Sequence, residues 1–177
     1  MNLASVSFRA LRVALVLGVL ALAGCSTIGD LSKSAMSAVG LGPKPKSPDW
    51  KSLTITAADD ANHNSAVALD VVFVRDQALL DTLASTPASK WFSTRADILR
   101  SFPDNVGVMS YELVPRQSIR IPEEILEKQK AWGVLAFAGY PPPGDHRARL
   151  KLDAEAYLLQ LGRDGLKASE VKATKAN

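Results

Sequence analysis

The sequence Val-Ala-Leu-Asp-Val-Val-Phe-Val-Arg at residues 67–75 decides the fold class of this chain. β-Branched and aromatic residues dominate it, which is the composition of a β-strand. Alternate side chains of a strand point to opposite faces, so the residues fall into two sets. One set is Val67, Leu69, Val71 and Phe73, and the other is Ala68, Asp70, Val72 and Val74. Both sets are largely apolar toward the end of the stretch, which predicts a central strand covered on both faces.

Further short strands lie on either side of this stretch. Residues 52–56 alternate polar and apolar side chains, as a half-buried strand does. The other predicted strands are residues 106–114, 117–121, 132–140, 147–152, 154–161 and 166–171. The pair Asp164-Gly165 is typical of a hairpin turn between the last two. About eight short strands with closely spaced turns predict a mainly β chain, folded as an antiparallel β-sandwich.

Two helical patterns interrupt the strands, at about residues 77–102. Asp76 is a suitable N-cap for a helix over residues 77–83, where leucines recur at helical spacing. Residues 89–101 predict a second, amphipathic helix, with Trp91 on its aromatic and aliphatic stripe. We therefore expect a small helical insertion between the second and third strands, with Trp91 sealing a helix onto a sheet.

The N-terminus predicts an exported lipoprotein. Arg9 and Arg12 precede a short apolar run with small residues at its end, which are the three parts of a secretory signal. The run at residues 13–23 is shorter than the roughly 20 residues that a transmembrane helix needs. The sequence Leu22-Ala23-Gly24-Cys25 fits a lipobox and contains the only cysteine of the chain. Residues 1–24 are thus predicted to be a lipoprotein signal peptide, and Cys25 to carry a covalent lipid. A plain signal peptide with an incidental cysteine is the alternative.

The segment after the cysteine predicts a tether. The sequence Gly42-Pro43-Lys44-Pro45-Lys46-Ser47-Pro48 cannot hold a helix, because each proline removes a donor and restricts the residue before it. Residues 25–49 are therefore predicted to be the lipidated cysteine and a flexible, proline-rich tether. A disordered leader without a spacing role would have the same sequence character. Residues 50–177 form the predicted β-sandwich domain.

Composition argues against several classes of function. The chain has 21 basic and 18 acidic residues, and removal of the signal takes two arginines away, so the mature chain is close to neutral. It has no basic run that would follow a phosphate backbone, so no nucleic-acid partner is expected. No catalytic or phosphate-binding motif is present, and His63 and His146 fall in predicted loops. We expect no enzymatic activity, no catalytic residue, no metal and no cofactor besides the lipid on Cys25.

The order of elements resembles the outer-membrane lipoproteins of type VI secretion systems, the TssJ/SciN family. Residues 67–76 are similar to the second strand of that family, and Glu112-Leu113-Val114-Pro115 to its Glu-x-Leu-x-Pro-Gly stretch. Arg116 stands where that stretch has its glycine. The sequence Trp132-Gly133-Val134-Leu135-Ala136-Phe137 resembles a later strand. The resemblance covers roughly residues 50–155.

The resemblance implies a fold and a location. The fold is a transthyretin-like β-sandwich with a helical addition, and no enzymatic activity accompanies it. Ser26, rather than an aspartate, follows Cys25. In Gram-negative lipoproteins this implies transfer to the outer membrane, with the protein facing the periplasm. The lipoprotein then anchors a trans-envelope complex by binding the periplasmic region of the inner-membrane component TssM.

The resemblance also implies a partner-binding loop. In the family, the loop between the first two strands contacts TssM, and residues 58–66 are its equivalent here. The expected partner-binding residues are the hydrogen-bonding side chains Asp59, Asp60, Asn62, His63 and Asn64. They project from a rigid sheet, where binding residues tend to lie. The loop at residues 141–145 is a possible second part of this surface.

A second hypothesis stays open from the sequence. A β-sandwich with an interior cavity of several hundred Å³ would suit a periplasmic lipoprotein that binds a small apolar ligand or lipid. An enzyme ranks third, because the sequence contains no catalytic constellation. A filled core with exposed loops would favour the scaffold over the carrier.

Overall fold

The computed structural model describes residues 44–172, which contain eight strands in two four-stranded sheets. The strands are β1 Ser52–Ala57, β2 Val67–Val74, β3 Val106–Leu113, β4 Ser118–Pro122, β5 Gly133–Ala138, β6 Arg147–Leu150, β7 Ala156–Leu161 and β8 Leu166–Val171. One sheet has the order β4-β1-β7-β8 and the other the order β3-β2-β5-β6. The prediction of a mainly β sandwich with about eight strands is confirmed.

The main core lies between the two sheets. Alternate residues of β1, including Leu53 and Ile55, meet alternate residues of β2 and β5 in one buried cluster. Trp50 precedes β1 and is fully buried, with its ring edge-on to Tyr157 at a centroid distance of 5.0 Å. The Trp50 Nε1–H donates to the Lys151 carbonyl oxygen at 2.7 Å, so the one polar atom of this large side chain is satisfied.

Strand β2 has the two apolar faces that its sequence predicts. Val67, Leu69, Val71 and Phe73 belong to the core between the sheets. Val72 and Val74 belong to a second buried cluster on the other side of the sheet. Because β2 pairs with β3 on one side and β5 on the other, it is a central strand.

Two helices cover that second cluster. Helix α1 spans Gln77–Ala84 and helix α2 spans Ala88–Ser101, so the insertion between β2 and β3 is confirmed. The Asp76 carboxylate accepts from the Leu79 backbone N–H at 2.8 Å, which is the predicted N-cap. The Trp91 ring stacks on Phe137 of β5, with centroids 5.0 Å apart. A third, one-turn helix α3 spans Glu123–Leu126 and follows β4 directly.

One pairing departs from the expected antiparallel pattern. Strand β1 is antiparallel to β4 but parallel to β7, with Leu53 opposite Tyr157 and Ala57 opposite Leu161. A tight turn joins only antiparallel neighbours, whereas a parallel pair needs a long connection. Here the connection is most of the domain, including the entire second sheet and the helices α1, α2 and α3. The sandwich therefore contains one parallel pair among antiparallel ones.

The first described residues are hydrogen-bonded to the domain. Lys46 and Ala131 exchange two backbone hydrogen bonds at 3.0 Å, and the Asp49 N–H donates to the Leu152 carbonyl oxygen at 2.7 Å. The predicted signal peptide, Cys25 and most of the tether lie outside the described residues, as do residues 173–177. In the described part of the chain, no helix has both the length and the apolar character to cross a membrane.

Candidate partner-binding surface

The loop between β1 and β2 has an unusual backbone. Residues Ala61–Asn64 make one short 3-10 turn, and three successive residues have positive φ. They are Asn62 at 46°, His63 at 53° and Asn64 at 65°. Asparagine adopts this left-handed conformation more readily than most residues, because its short side chain makes local hydrogen bonds. The two asparagines are thus part of the loop's architecture as well as candidates for binding.

Hydrogen bonds hold this loop in place. The Asn62 side-chain amide donates to the Ala66 carbonyl oxygen at 3.0 Å. The Asn62 backbone N–H donates to the Gly162 carbonyl oxygen at 3.1 Å, and Ala58 N–H to that of Leu161 at 2.9 Å. The loop is thereby joined to the end of β7 and to the β7–β8 turn. Alanine at position 62 would lose this amide bond, and at both asparagine positions it would be strained by the positive φ, so we expect Asn62→Ala and Asn64→Ala to destabilise the loop.

The charged side chains of the loop form ion pairs with neighbouring turns. The Asp59 carboxylate lies 3.3 Å from the Arg116 Nε and the Asp60 carboxylate 3.9 Å from an Arg163 guanidinium nitrogen. The His63 Nε2 lies 3.2 Å from the Asp164 carboxylate. All these side chains are at least half exposed, with Asp59 at 76%. Exposed ion pairs of this kind contribute about 0–1 kcal/mol, so a partner can replace them at little cost.

Arg116 is a member of this surface that sequence reasoning missed. It lies in the turn between β3 and β4 with φ of 70°, the left-handed region that favours glycine. Its backbone N–H donates to the Ala57 carbonyl oxygen at 3.1 Å, which fixes the turn against the end of β1. The backbone here adopts a conformation that glycine takes without strain, and the Arg116 side chain adds a cation beside Asp59.

The proline loop at residues 141–145 meets the β1–β2 loop across a cleft of about 280 Å³. Side chains from both loops and from the β7–β8 turn line it: Asn62, His63, Tyr140, Pro141, Pro142, Pro143, Arg163 and Asp164. The Tyr140 hydroxyl donates to the Gly162 carbonyl oxygen at 2.7 Å. Burial, with a smaller contribution from the Asp164 charge, raises the pKa of Tyr140 to about 12. Tyr140 thus stays neutral at physiological pH.

His146 organises the proline loop. Its Nε2 lies 3.2 Å from the Pro141 carbonyl oxygen and 3.1 Å from that of Pro143. Since a carbonyl only accepts, this nitrogen carries the hydrogen. The imidazole ring also lies 5.1 Å from the Tyr140 ring. Among the described residues, no group of three histidine, cysteine or carboxylate side chains is placed to hold a metal ion.

The structure therefore brings together the two loops that the sequence singled out. Asp59, Asp60, Asn62, His63 and Asn64 share one loop, and residues 141–145 lie beside it. Sequence reasoning missed Arg116, Tyr140, Arg163 and Asp164, although the hairpin signal at Asp164-Gly165 marks one of these turns. We call the exposed side chains of residues 58–66, 114–117, 140–145 and 162–165 the loop surface.

No protein-family model and no curated protein sequence matches this chain. Solved structures do match. The type VI secretion lipoprotein TssJ1 from Pseudomonas aeruginosa superposes with a TM-score of 0.53 at 14% identity, over 73% of this chain and 99% of that one. The chain has a TssJ-like fold.

Two further matches have lower TM-scores. Lip from Serratia marcescens, described as a membrane-bound component of the type VI secretion system, matches with a TM-score of 0.46 at 14% identity. That match covers 69% of this chain and 96% of Lip. A structure of the TssM C-terminal domain from EAEC matches with a TM-score of 0.48 at 18% identity, over 68% and 97% of the two chains.

Proposed function

We propose that this chain is a periplasm-facing lipoprotein, anchored in the outer membrane through Cys25, that scaffolds a type VI secretion membrane complex. It does so by binding the periplasmic region of the inner-membrane component TssM. The TssJ-like fold supports this role. The lipobox at Leu22-Ala23-Gly24-Cys25 supports the anchor independently, because it is a signal of the sequence and not of the fold.

The loop surface is the observation that carries the binding part of the proposal. Its backbone is fixed by hydrogen bonds to the ends of β1 and β7, while its charged side chains point into solvent. A preorganised surface loses less conformational entropy on binding than a mobile loop. Acidic and basic groups lie side by side on this surface. Such a charge pattern fixes how a complementary protein partner docks and disfavours other partners.

A non-enzymatic role fits the chemistry of the surface. The acidic side chains Asp59, Asp60 and Asp164 are each matched by a cation or a histidine, and none is buried against a nucleophile. The carrier alternative requires an empty interior. In the described part of the chain, the space between the sheets contains the main core, including Trp50, Phe73 and Leu159.

The decisive experiment is a titration of the purified periplasmic C-terminal domain of TssM against the mature protein. The test variant is the double substitution Asp59→Asn with Asp60→Asn, which removes the charges and keeps the side-chain shapes. The matched control is Asp49→Asn with Asp97→Asn, because those carboxylates also form exposed ion pairs, with Lys46 and Arg100. We expect the loop variant to weaken binding by about tenfold or more, as for a lost close charge pair at an interface.

The control variant should bind within about twofold of the wild type, as rim charges distant from the contact do. Equal dissociation constants for all three proteins would place the binding surface elsewhere. Substitution of Asn64 by glycine, not alanine, is the suitable probe at that position, because glycine accepts its positive φ without strain.

The anchor has its own test. Cys25→Ser removes the sulfur that would carry the lipid, so the variant should leave the outer-membrane fraction and fail to support secretion. Ser26→Ala is the control, because it alters a neighbouring residue and leaves the sulfur in place. A Cys25→Ser variant that still fractionates with outer membranes would show that the protein is not held there by a lipid.

A further inference from the structure

Strand β3 is an edge strand with free backbone groups. The Arg75 N–H donates to the Asn105 carbonyl oxygen at 2.8 Å, so these two residues are a hydrogen-bonded pair of the antiparallel β2–β3 ladder. Every second residue of β3 then bonds to β2, namely Gly107, Met109, Tyr111 and Leu113. The N–H and C=O groups of Val108, Ser110 and Glu112 point away from the sheet. Within residues 44–172, these groups have no hydrogen-bond partner.

The other three edges are better protected. Strand β4 ends in Pro122 and carries Arg120, and proline and cations both discourage pairing. Strand β6 has only four residues, two of them arginine. Strand β8 packs beside β6, where Lys151 and Glu170 make an ion pair at 2.9 Å. Strand β3 has eight residues with no proline, lysine or arginine, so it is the edge most open to another strand.

The side chains beside this edge are incompletely covered. Met109 and Tyr111 of β3 and Ile119 of β4 pack against the main core but are only partly buried. Val114, just beyond the end of β3, is 55% exposed. A strand added to β3 would bury these apolar groups while it pairs with the free backbone groups.

Glu112 gives the added strand a preferred charge. Its side chain is exposed and has no ion pair in the described part of the chain. It lies opposite Ala68 of β2, so β2 supplies no cation to it. A lysine or arginine on the incoming strand would complete a cross-strand pair with Glu112, whereas an acidic residue there would be repelled.

We propose that the outer edge of β3 binds an extended segment of a partner protein by strand addition. The segment alternates apolar residues, which face Met109 and Tyr111, with polar residues that include a cation beside Glu112. This interaction surface runs along β3 and meets the loop surface only at Val114, which belongs to both. It does not depend on TssM being the partner.

The test uses the full chain in detergent micelles and a synthetic peptide of alternating valine and lysine that spans the eight residues of β3. Binding is followed by fluorescence anisotropy of the labelled peptide, and its position by backbone hydrogen exchange. We expect the peptide to slow exchange at Val108, Ser110 and Glu112. Ser110→Pro removes a free backbone donor and breaks no hydrogen bond to β2. It should weaken peptide binding about tenfold, because one hydrogen bond to the peptide and the strand contact around it are lost.

Ser118→Pro is the matched control, because Ser118 begins the neighbouring edge strand β4. It should bind within about twofold of the wild type, and circular dichroism should show both proline variants folded. Glu112→Lys should weaken binding of the lysine peptide about two- to fivefold and favour a peptide with glutamate instead, which is the range of a cross-strand ion pair. The Asp59→Asn and Asp60→Asn variant should leave peptide binding unchanged.

Several outcomes would overturn the proposal. Equal affinities of the Ser110→Pro and Ser118→Pro variants would show that β3 is not the binding edge. Undiminished binding of two peptides, one N-methylated at its odd residues and the other at its even residues, would rule out backbone pairing, because one of the two sets must face β3. Self-association that Ser110→Pro abolishes would assign the edge to a second copy of this chain instead of a partner segment. Absence of TssM binding by the wild-type protein, with intact peptide binding, would contradict only the proposed function.

Discussion

The domain uses carboxylates in two different settings. Asp70 of β2 is 2% exposed in its side chain and faces helix α2. It accepts from the Trp91 Nε1–H at 2.8 Å and from an Arg95 guanidinium nitrogen at 2.9 Å. Asp59 on the loop surface also meets an arginine, but its side chain is 76% exposed. The same ion-pair chemistry is therefore structural in one place and available for binding in the other.

Burial explains this difference. Removing one partner of a buried hydrogen bond leaves the other without water to replace it, at a cost of about 1–3 kcal/mol. An exposed carboxylate exchanges its arginine for water with a change of about 0–1 kcal/mol. Loss of a buried polar group that holds the helical insertion should therefore lower the stability of the domain. Loss of an exposed charge on the loop surface should change that stability little.

The largest effect is expected for Trp91→Ala. The substitution empties a fully buried site, unstacks Phe137 and leaves the Asp70 carboxylate without one donor. Chemical denaturation should show a loss of about 3–5 kcal/mol in the free energy of unfolding, the range for a large aromatic side chain removed from a core. Trp132→Ala is the control. Trp132 is only partly buried, so Trp132→Ala should lower the free energy of unfolding by less than half as much as Trp91→Ala does.

A smaller effect is expected for Asp70→Ala. The Trp91 Nε1–H is then left buried without an acceptor, which should cost about 1–3 kcal/mol in the free energy of unfolding. Asp97→Ala is the matched control, because Asp97 pairs with Arg100 at an exposed site on α2, the helix that also carries Trp91. If both variants unfold at the same denaturant concentration, the buried pair does not stabilise the insertion.

Tyr140 should show a pH-dependent contribution. Its folded-state pKa of about 12 lies above the unfolded value of 10.0, because burial and Asp164 both disfavour the phenolate. The stabilisation is therefore present in full below pH 10 and is lost as the pH rises toward 12. Tyr140→Phe should remove this pH dependence and cost about 0.5–1.5 kcal/mol at neutral pH through the lost hydrogen bond to Gly162. Phenolate absorbance of the folded protein, with Tyr140→Phe as the reference, measures the pKa directly.

The smallest effect on stability is expected for Asp59→Asn. Its ion pair with Arg116 is exposed, so the free energy of unfolding should change by less than about 0.5 kcal/mol. Thermal unfolding of the wild type and the variant at low and high salt checks this, because salt screens an exposed pair and should reduce even this small difference. A loss comparable to that of Asp70→Ala would remove the distinction between the two settings.

Periodicity predicted the parts of the fold that local patterns control. The two apolar faces of β2, the Asp76 cap and the Asp164-Gly165 hairpin are all confirmed, because each depends on residues close together in sequence. The parallel pairing of β1 with β7 was not predicted, because the residues of a strand do not specify which other strand pairs with it. Similarly, the loop was predicted as polar, but its ion pairs with Arg116 and Arg163 join turns that are distant in sequence.

The candidate site was predicted only in outline. Asn62, His63 and Asn64 could be placed in a loop, but their left-handed backbone depends on the hydrogen bonds to β7. The loops of residues 58–66 and 141–145 could be named separately, whereas the cleft between them requires the three-dimensional arrangement. The expectation of a lipid on Cys25 stays a prediction, since that residue lies outside the described part of the chain.

The pairing of β1 with β7 also determines when the domain can form. Strand β1 is made first, but its parallel neighbour is the next-to-last strand of the chain. Contacts so distant in sequence slow folding, because chain closure must occur before they contribute. This order delays the closure of the sandwich until nearly all of the described domain has been synthesised.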